Sequence, residues 1–378
     1  MKLIWKFFIG MLSLIFLIFI FSISNFSNEQ ENFPEDGVYV FPPFPEVYKF
    51  RKADFDAAEI SGKIDKYFFD KKLRNKLFDS ANMMTEPDKN PEVRVIQEID
   101  KGKYLEQKLS LIIFPATISY AYMLIPKNIS YPAPLILAMH PHGGFYEYGS
   151  EAVVGNKGDK EWAYGKELAE RGYVVLAMDA PLFGNRGIIE RAGNSNEVFE
   201  EFAEQNLLIL GHSLLGEVLR EDISTLNFLS SLESIDKNRI GCIGHSFGGI
   251  RCMYLSALDE RVKAVVLANS VADLRRHNRE SAPTVHTWFS FIPGSGRYTD
   301  TNGILALIAP NPLMIISSEK DPIFPLKEAQ KQTEVINKLY ERLKYKDNFN
   351  FIIELNEAHT FPQKYREEAY NFFDKNLK

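Results

Sequence analysis

Residues 239–249 read RIGCIGHSFGG, and this stretch decides the fold. Ser246 stands between an apolar run with strand character and a segment with helical spacing, and Gly244 and Gly248 lie two residues to either side of it. Glycines are needed there because side chains at those positions would collide with the neighbouring strand and helix in a tight turn. A G-x-S-x-G pattern in this setting predicts a nucleophilic serine on a sharp strand-to-helix turn.

A second glycine–histidine–serine sequence, Gly211-His212-Ser213, lies upstream of this stretch. Its serine is followed two residues later by Leu215, where the turn would require glycine. We place Ser213 inside or at the edge of a predicted helix over Asn206–Leu232 and predict a structural role for it.

Short apolar runs that hardly alternate with polar residues follow one another from residue 135 onward. Such runs are typical of strands buried on both faces of a parallel sheet. The predicted strands are Leu135–Met139, Tyr173–Met178, Arg239–Ile243, Val262–Ala268, Leu313–Ser317 and Asn350–Leu355. The predicted helices between and after them are Glu161–Arg171, Asn206–Leu232, Gly249–Leu258, Lys327–Leu343 and Gln363–Leu377. With the strand Val93–Ile99 and the hairpin Lys103–Ile125 in front, the pattern predicts a mostly parallel, doubly wound α/β sheet with antiparallel N-terminal strands.

Ligands of such sheets bind beyond the carboxyl ends of the strands, and two ionisable residues follow strands there. Asp321 comes after the strand 313–317, with Glu319 as an alternative acid, and His359 comes after the strand 350–355. A nucleophilic serine needs a base, and the base needs a carboxylate to orient it. The order serine, acid, histidine therefore predicts Ser246, Asp321 and His359 as a catalytic triad.

A tetrahedral intermediate at Ser246 requires backbone N–H donors for its oxyanion. We predict the N–H of Phe247 as one donor, and Gly143 and Gly144, in the loop after the strand 135–139, as the source of the other. Neighbouring aromatic residues are predicted to line the substrate pocket, and the segment Asp273–Ile304 to cap it. These aromatic residues are Phe145, Tyr146 and Phe183.

A metal site built on His140 and His142 is the alternative reading of the loop after the strand 135–139. It lacks a third ligand nearby, so no metal and no cofactor is predicted. The motif Asp179-Ala180-Pro181 predicts a carboxylate that forms a turn.

Composition excludes some classes of protein. The 378 residues are 45% hydrophobic and 25% charged, which is typical of a packed globular protein. A formal net charge of -6 without a dense basic cluster argues against a nucleic-acid partner. Cys242 and Cys252 have neither metal-binding nor redox spacing, and we predict two buried free thiols, with a disulfide between them as the alternative.

The N-terminus carries an almost unbroken apolar run, Phe7–Ile23, after Lys2 and Lys6. Positive charge before the run and acidic residues after it predict that the following chain lies outside the cytoplasm. Residues 1–26 are thus either a signal peptide or an uncleaved membrane anchor, which would be the only membrane contact. We predict a tether and helical extension over 27–90 and the catalytic domain over 91–378.

Three sequences together resemble a known family. These are His140-Pro141-His142-Gly143-Gly144, then Glu170–Leu176 with Asp179, and the stretch 239–249. They are similar to the dienelactone hydrolase-like and acetyl xylan esterase-like branch of the α/β-hydrolases, from about Leu135 to the C-terminus. The resemblance implies an α/β-hydrolase fold, the triad Ser246, Asp321 and His359, and an oxyanion loop at Gly143 and Gly144. Enzymes named for dienelactone hydrolysis use a cysteine where this chain has Ser246, so the acetyl esterase branch fits better.

Three functions remain open from the sequence. The first is hydrolysis of a small carboxylic ester through an acyl-enzyme. The second is a peptidase of the prolyl-oligopeptidase type, although about a hundred residues before the core are too few for a propeller domain. The third is a hydrolase fold that binds without catalysis, which does not require all three triad residues.

Overall fold

The computed structural model describes residues 66–113, 117–187, 196–273 and 287–378, and a nine-stranded sheet forms its centre. The strands are β1 (Glu92–Asp100), β2 (Tyr104–Ile113), β3 (Thr117–Pro126), β4 (Ala133–Met139), β5 (Val174–Met178), β6 (Ile235–His245), β7 (Ala264–Ala268), β8 (Leu313–Ser318) and β9 (Phe349–Glu354). Their order across the sheet is β1-β2-β3-β5-β4-β6-β7-β8-β9. The pairs β1–β2, β2–β3 and β3–β5 are antiparallel. All further pairs across the sheet, from β5–β4 to β8–β9, are parallel. The predicted mostly parallel sheet with antiparallel N-terminal strands is confirmed.

Helices cover both faces of this sheet, as the alternation of strands and helices predicts. They are α1 (Lys66–Ala81), α2 (Ser150–Val153), α3 (Tyr164–Glu170), α4 (Asn196–Ile209), α5 (Leu214–Ser231), α6 (Phe247–Leu258), α7 (Thr301–Ala306), α8 (Leu326–Leu343) and α9 (Gln363–Leu377). Short 3₁₀ helices occur at Lys160–Trp162, Gly184–Arg186, Trp288–Ser290, Ser295–Arg297 and Lys346–Asn348. The last helix begins and ends at the predicted residues.

Burial explains why the central strands lack alternation. Every residue of β4, β5, β7 and β8 is buried, because helices pack on both faces of the parallel part of the sheet. Strand β2, by contrast, alternates between buried and half-buried residues, which is typical of a strand with one face on the core. The carboxyl ends of β4, β6, β7, β8 and β9 therefore meet at one edge of a rigid sheet.

Helix α1 precedes the sheet and packs against α6. Leu73, Leu77 and Ala81 repeat every four residues and are fully buried. Arg74 adds a hydrogen bond from its Nε to the carbonyl of Ala257 at the end of α6 (2.8 Å). This helix thus covers the helix that follows the nucleophile turn.

The predicted helix over Asn206–Leu232 is wrong, because the structure has two helices there, α4 and α5. The helix is interrupted at Gly211, which has a φ of 83°. Ser213 then caps α5, since its Oγ accepts a hydrogen bond from the N–H of Gly216 (3.1 Å). A serine at an N-cap satisfies an otherwise unpaired amide, and the predicted structural role of Ser213 is confirmed.

The prediction of two free thiols is also wrong. Cys242 in β6 and Cys252 in α6 form a disulfide, with Cα atoms 5.7 Å apart. The chain reverses direction between them at residue 246, so the helix lies back along the strand that it follows. This brings two residues ten positions apart in the sequence within the range of a disulfide.

The apolar run Phe7–Ile23, its interpretation as a signal peptide or anchor, and the tether after it all lie outside the described residues. Within the four described ranges, no helix has both the length and the apolar character needed to cross a membrane. The division of the chain at residues 26 and 90 stays a prediction.

Candidate active site

Ser246 lies on the turn between β6 and α6 in a strained backbone conformation. Its φ of 57° and ψ of −126° are rarely adopted by a residue with a side chain. The turn is also tightly packed: a Cβ on Gly244 would lie 2.1 Å from the backbone of Gly248, and one on Gly248 would lie 2.0 Å from the carbonyl oxygen of Met139. The two glycines are therefore required by sterics, as the sequence predicted, and Ser246 heads the helix α6.

Asp321 and His359 are brought together at the ends of β8 and β9. The Nδ1 of His359 lies 2.8 Å from Oδ2 of Asp321. The other carboxylate oxygen of Asp321 accepts hydrogen bonds from the N–H groups of Ile323 (2.7 Å) and Phe324 (3.0 Å). Backbone donors thus fix the carboxylate, and the carboxylate fixes the imidazole with its Nε2 available to the cavity.

The alternative acid, Glu319, points elsewhere. It is exposed, and its Oε2 accepts a hydrogen bond from the N–H of Asn356 (2.9 Å). Asp321 is buried and is the carboxylate that contacts His359.

The imidazole of His359 is held between two rings. Phe324 stacks on it at 5.7 Å between ring centroids, and His245 lies 4.7 Å away. His245 is buried, and within the described part of the chain neither of its ring nitrogens has a hydrogen-bond partner. Burial, and then the nearby His359, hold the pKa of His245 well below its usual value. A neutral ring therefore packs against the candidate base.

The two candidate oxyanion glycines differ in their hydrogen bonds. Both have positive φ, 58° at Gly143 and 75° at Gly144. The N–H of Gly144 donates to Nδ1 of His142 (3.1 Å), so this amide is occupied. Phe247 begins α6 directly after Ser246, where helix N–H groups have no partner within the helix. Gly143 and Phe247 are therefore the better candidates for donors.

A buried carboxylate in α4 braces the oxyanion loop. Oε2 of Glu200 contacts Nε2 of His142 (2.8 Å) and the hydroxyl of Tyr146 (2.7 Å), and Oε1 accepts from the N–H of Trp288 (2.7 Å). Burial raises the pKa of Glu200, but hydrogen bonds from His142, Tyr146 and Thr287 outweigh burial and leave the pKa below its usual value. Glu200 thus connects three segments: α4, the oxyanion loop and the region around Trp288.

A cavity of about 830 Å³ joins these parts. It contains Ser246, His359 and both candidate oxyanion positions, Gly143 and Phe247. Its remaining lining residues come from the oxyanion loop, α4, α6 and the loops before α7 and α8. They are His142, Gly144, Tyr146, Glu197, Glu200, Glu201, Ile250, Thr287, Trp288, Ser290, Ile323 and Phe324.

The structure places only one of the three predicted pocket aromatics in the cavity wall. Tyr146 lines it, as predicted. Phe145 is not among the lining residues: it is 45% exposed and packs on Tyr148 and Trp162. Phe183 is fully buried behind the oxyanion loop, 5.0 Å from the ring of His142. Residues of the oxyanion loop lie between Phe183 and the cavity, so Phe183 packs behind the cavity wall and does not line it.

Part of the predicted cap, Asp273–Ile304, lies outside the described residues. Within its described part, Thr287, Trp288 and Ser290 line the cavity.

The remaining polar residues that the sequence singled out have structural contacts. Nδ1 of His140 lies 2.9 Å from the carbonyl of Pro141, and its Nε2 accepts from the N–H of Ala180 (3.0 Å). Burial lowers the pKa of His140 to about 3. Asp179 accepts hydrogen bonds from Ser150 and Asn185, and burial raises its pKa. Within the described ranges, no three metal-ligating side chains cluster.

Sequence reasoning missed the acidic wall from α4. Glu197, Glu200 and Glu201 fall in a stretch that reads as the solvated face of a helix. Glu200 is identified by its contacts in three dimensions, because its partners His142 and Trp288 are 58 and 88 residues away in the sequence.

The chain is similar to known proteins over most of its length. The model of a family described as the abhydrolase family matches residues 56–375. YtaP of Bacillus subtilis, provisionally named a hydrolase, is 27% identical over 291 residues, which are 76% of this chain and 94% of that protein.

Solved structures share the fold. A Bacteroides fragilis protein provisionally named an acetyl xylan esterase superposes with a TM-score of 0.66 at 20% identity, over 82% of this chain and 84% of its own. Acetyl xylan esterase 1 of Thermoanaerobacterium has a TM-score of 0.54 at 16% identity, over 81% and 93% of the two chains.

Proposed function

The chain belongs to the abhydrolase family, and from this premise we propose that it is a serine hydrolase of small carboxylic esters, with Ser246, Asp321 and His359 as its catalytic triad. One observation carries the proposal. A histidine oriented by a buried carboxylate shares a cavity with a serine on a strained turn at a helix N-terminus. A binding protein has no need for this combination.

The reaction follows from the positions of these groups. Oγ of Ser246 attacks the ester carbonyl while Nε2 of His359 takes its proton. The carboxylate of Asp321 accepts from Nδ1–H, which fixes the tautomer and stabilises the imidazolium. His359 then protonates the leaving alcohol, and a water molecule activated by His359 hydrolyses the acyl-enzyme.

The negative charge on the carbonyl oxygen is stabilised by backbone donors. The N–H of Phe247 and the N–H of Gly143 are the proposed pair, and removal of one such donor typically costs about 10²–10³-fold in rate. The N-terminal end of α6 adds a favourable dipole for the same charge.

An acetyl or similarly small acyl group is the proposed acid part of the substrate. Two structural neighbours carry the name acetyl xylan esterase, one of them provisionally. The cavity of about 830 Å³ also leaves room for an alcohol part much larger than an acetyl group, bordered by Trp288 and by the carboxylates of α4. The extracytoplasmic location implied by the N-terminal run is part of the proposal, with either a cleaved or an anchored N-terminus.

The test is hydrolysis of p-nitrophenyl acetate and of longer p-nitrophenyl esters by the wild type, Ser246→Ala and the matched control Ser213→Ala. We expect Ser246→Ala to lose on the order of 10⁶-fold in kcat, as for removal of a nucleophile from a complete triad. Ser213→Ala removes a helix cap and costs about 1 kcal/mol of stability, with kcat retained.

Fluorophosphonate labelling separates the outcomes. Labelling of the wild type without ester turnover would direct the search to peptide substrates. Neither labelling nor turnover would refute catalysis by Ser246 and leave a binding protein.

A further inference from the structure

Asn269, directly after β7, occupies a position to which neither the sequence pattern nor the triad assigns a role. Its φ is 47°, a left-handed conformation that is costly for a residue with a side chain and least costly for asparagine. The side chain is 1% exposed. A strained and buried polar residue at the carboxyl edge of the sheet requires an explanation in its hydrogen bonds.

The carboxamide of Asn269 bridges the acid loop and the base loop. Its Oδ1 accepts from the N–H of Ser318 (2.8 Å), three residues before Asp321. Its Nδ2 donates to the carbonyl of Thr360 (2.6 Å), the residue after His359. A backbone N–H only donates and a carbonyl only accepts, so these two partners define which end of the amide is oxygen and which is nitrogen.

The second hydrogen of Nδ2 also has a partner. It points to Oγ of Ser318 (2.9 Å), and this hydroxyl in turn contacts the buried carboxylate of Glu354. The oxygen and both hydrogens of the amide therefore have partners in the segments that carry Asp321 and His359.

The end of β7 also contacts the turn that carries Ser246. The carbonyl of Ala268, the residue before Asn269, accepts from the N–H of Ser246 (2.9 Å). The N–H of Asn269 itself donates to Ile316 in β8 (2.8 Å). Two consecutive residues thus contact all three segments that carry the triad.

We propose that Asn269 is a positioning residue for the triad, whose carboxamide sets the separation of the Asp321 and His359 loops. The proposal rests on the proposed function. Other contacts between these loops lie nearer their tips, from the N–H of Lys320 to the carbonyl of Glu357 (2.8 Å) and through Glu319. At the base of the loops, the N–H of Glu319 donates to the carbonyl of Glu354 (2.9 Å), and Ser318 also contacts Glu354. The Asn269 bridge differs from these contacts because it ties both loop bases to the end of β7, the strand that pairs with β6 before Ser246.

The substitution that tests this is Asn269→Gly, since glycine adopts positive φ without strain and lacks the whole side chain, including the carboxamide. A second variant, Asn269→Asp, keeps the shape but replaces the donor to Thr360 with an acceptor. The matched control is Asn311→Asp, because the Nδ2 of Asn311 also donates to a carbonyl, that of Val262 (3.0 Å), at the opposite end of β8.

We expect both Asn269 variants to lose about 10–100-fold in kcat for p-nitrophenyl acetate with KM changed less than about twofold, because a misplacement near 1 Å costs about that much in rate. Asn311→Asp should keep the wild-type kcat. Thermal unfolding shows whether each variant is folded. A folded Asn269→Gly with kcat within about twofold of wild type would overturn the proposal, and so would unfolding of both variants, which would assign Asn269 to stability.

A readout without substrate keeps this test separate from the esterase proposal. The Nδ1 proton shared by His359 and Asp321 should give a downfield proton resonance in the wild type and in Asn311→Asp. We expect it to shift or broaden in Asn269→Gly. An unchanged resonance in the folded variant would contradict the positioning role even if the protein hydrolysed no ester at all.

Discussion

Among the described residues two histidines line the cavity, and each contacts a buried carboxylate at 2.8 Å: His359 with Asp321, and His142 with Glu200. The pairs differ in the other ring nitrogen. In His142 that nitrogen accepts from the N–H of Gly144, so both nitrogens are occupied. In His359 the carboxylate of Asp321 contacts Nδ1, so Nε2 is the nitrogen that can exchange a proton in the cavity. The same pair of residue types is thus a brace in one place and a candidate acid–base group in the other.

The largest expected difference between the pairs comes from replacing the histidines. His359→Gln should lose on the order of 10⁶-fold in kcat, since the base and the nucleophile act as a unit. His142→Gln should lose about 10–100-fold, because it disturbs only the loop that carries an oxyanion donor. Steady-state kinetics with p-nitrophenyl acetate measure both. Equal losses would mean that the comparison is wrong and that His142 also transfers protons.

Replacing the carboxylates should likewise lower kcat more in the His359–Asp321 pair than in the His142–Glu200 pair. Asp321→Asn should lower kcat by about 10⁴-fold, because the amide favours the wrong tautomer of His359. The matched control is Glu319→Gln, the alternative acid, whose contact with Asn356 an amide oxygen preserves. A larger loss in Glu319→Gln than in Asp321→Asn would reverse the assignment of the acid.

A smaller effect is expected at Glu200. Glu200→Gln should reduce kcat by about 10-fold, since a neutral amide holds His142 less firmly. In a double-mutant cycle with His142→Gln, the double variant should be no worse than the poorer single variant, because both act through one hydrogen bond. Additive losses would show that Glu200 contributes through another contact, such as Trp288.

The last prediction concerns stability rather than rate, at the carboxyl of Glu354, which has no cationic partner among the described residues. Burial raises the pKa of Glu354 to about 7, whereas an unfolded glutamate titrates near 4.5. The folded state therefore binds more protons between these values, and stability should fall by on the order of 3 kcal/mol as pH rises from about 4.5 to about 7. Urea unfolding at pH 5 and pH 8 should show a smaller decrease for Glu354→Gln than for the wild type. Glu368→Gln, an exposed carboxyl on α9, should behave like the wild type.

The sequence predicted the parts of the fold and of the site that depend on local pattern. The strands around residues 135–355 were found to within a few residues because burial on both faces removes alternation. Ser246, Asp321 and His359 could be named as triad candidates because each follows a strand, and parallel strands end at one edge.

Features that depend on backbone conformation and packing rather than on hydrophobic pattern could not be predicted. The break at Gly211 was missed because the apolar spacing continues on both sides of it. Phe183 was assigned to the pocket from its place in a loop, yet Tyr146 and Phe247 pack on both sides of it. The disulfide was missed since its formation depends on how α6 folds back along β6.

The origin of the cavity wall has a consequence for how such a protein diversifies. The candidate catalytic groups are attached to the ends of sheet strands, whereas the wall facing them comes largely from α4 and residues 287–290, which lie outside the sheet. Exchanges in those two segments that keep Glu200 can alter what the cavity admits, while the strand ends hold the candidate catalytic groups in place. Natural divergence and protein engineering can therefore both change substrate recognition through these segments while the candidate catalytic residues keep their positions.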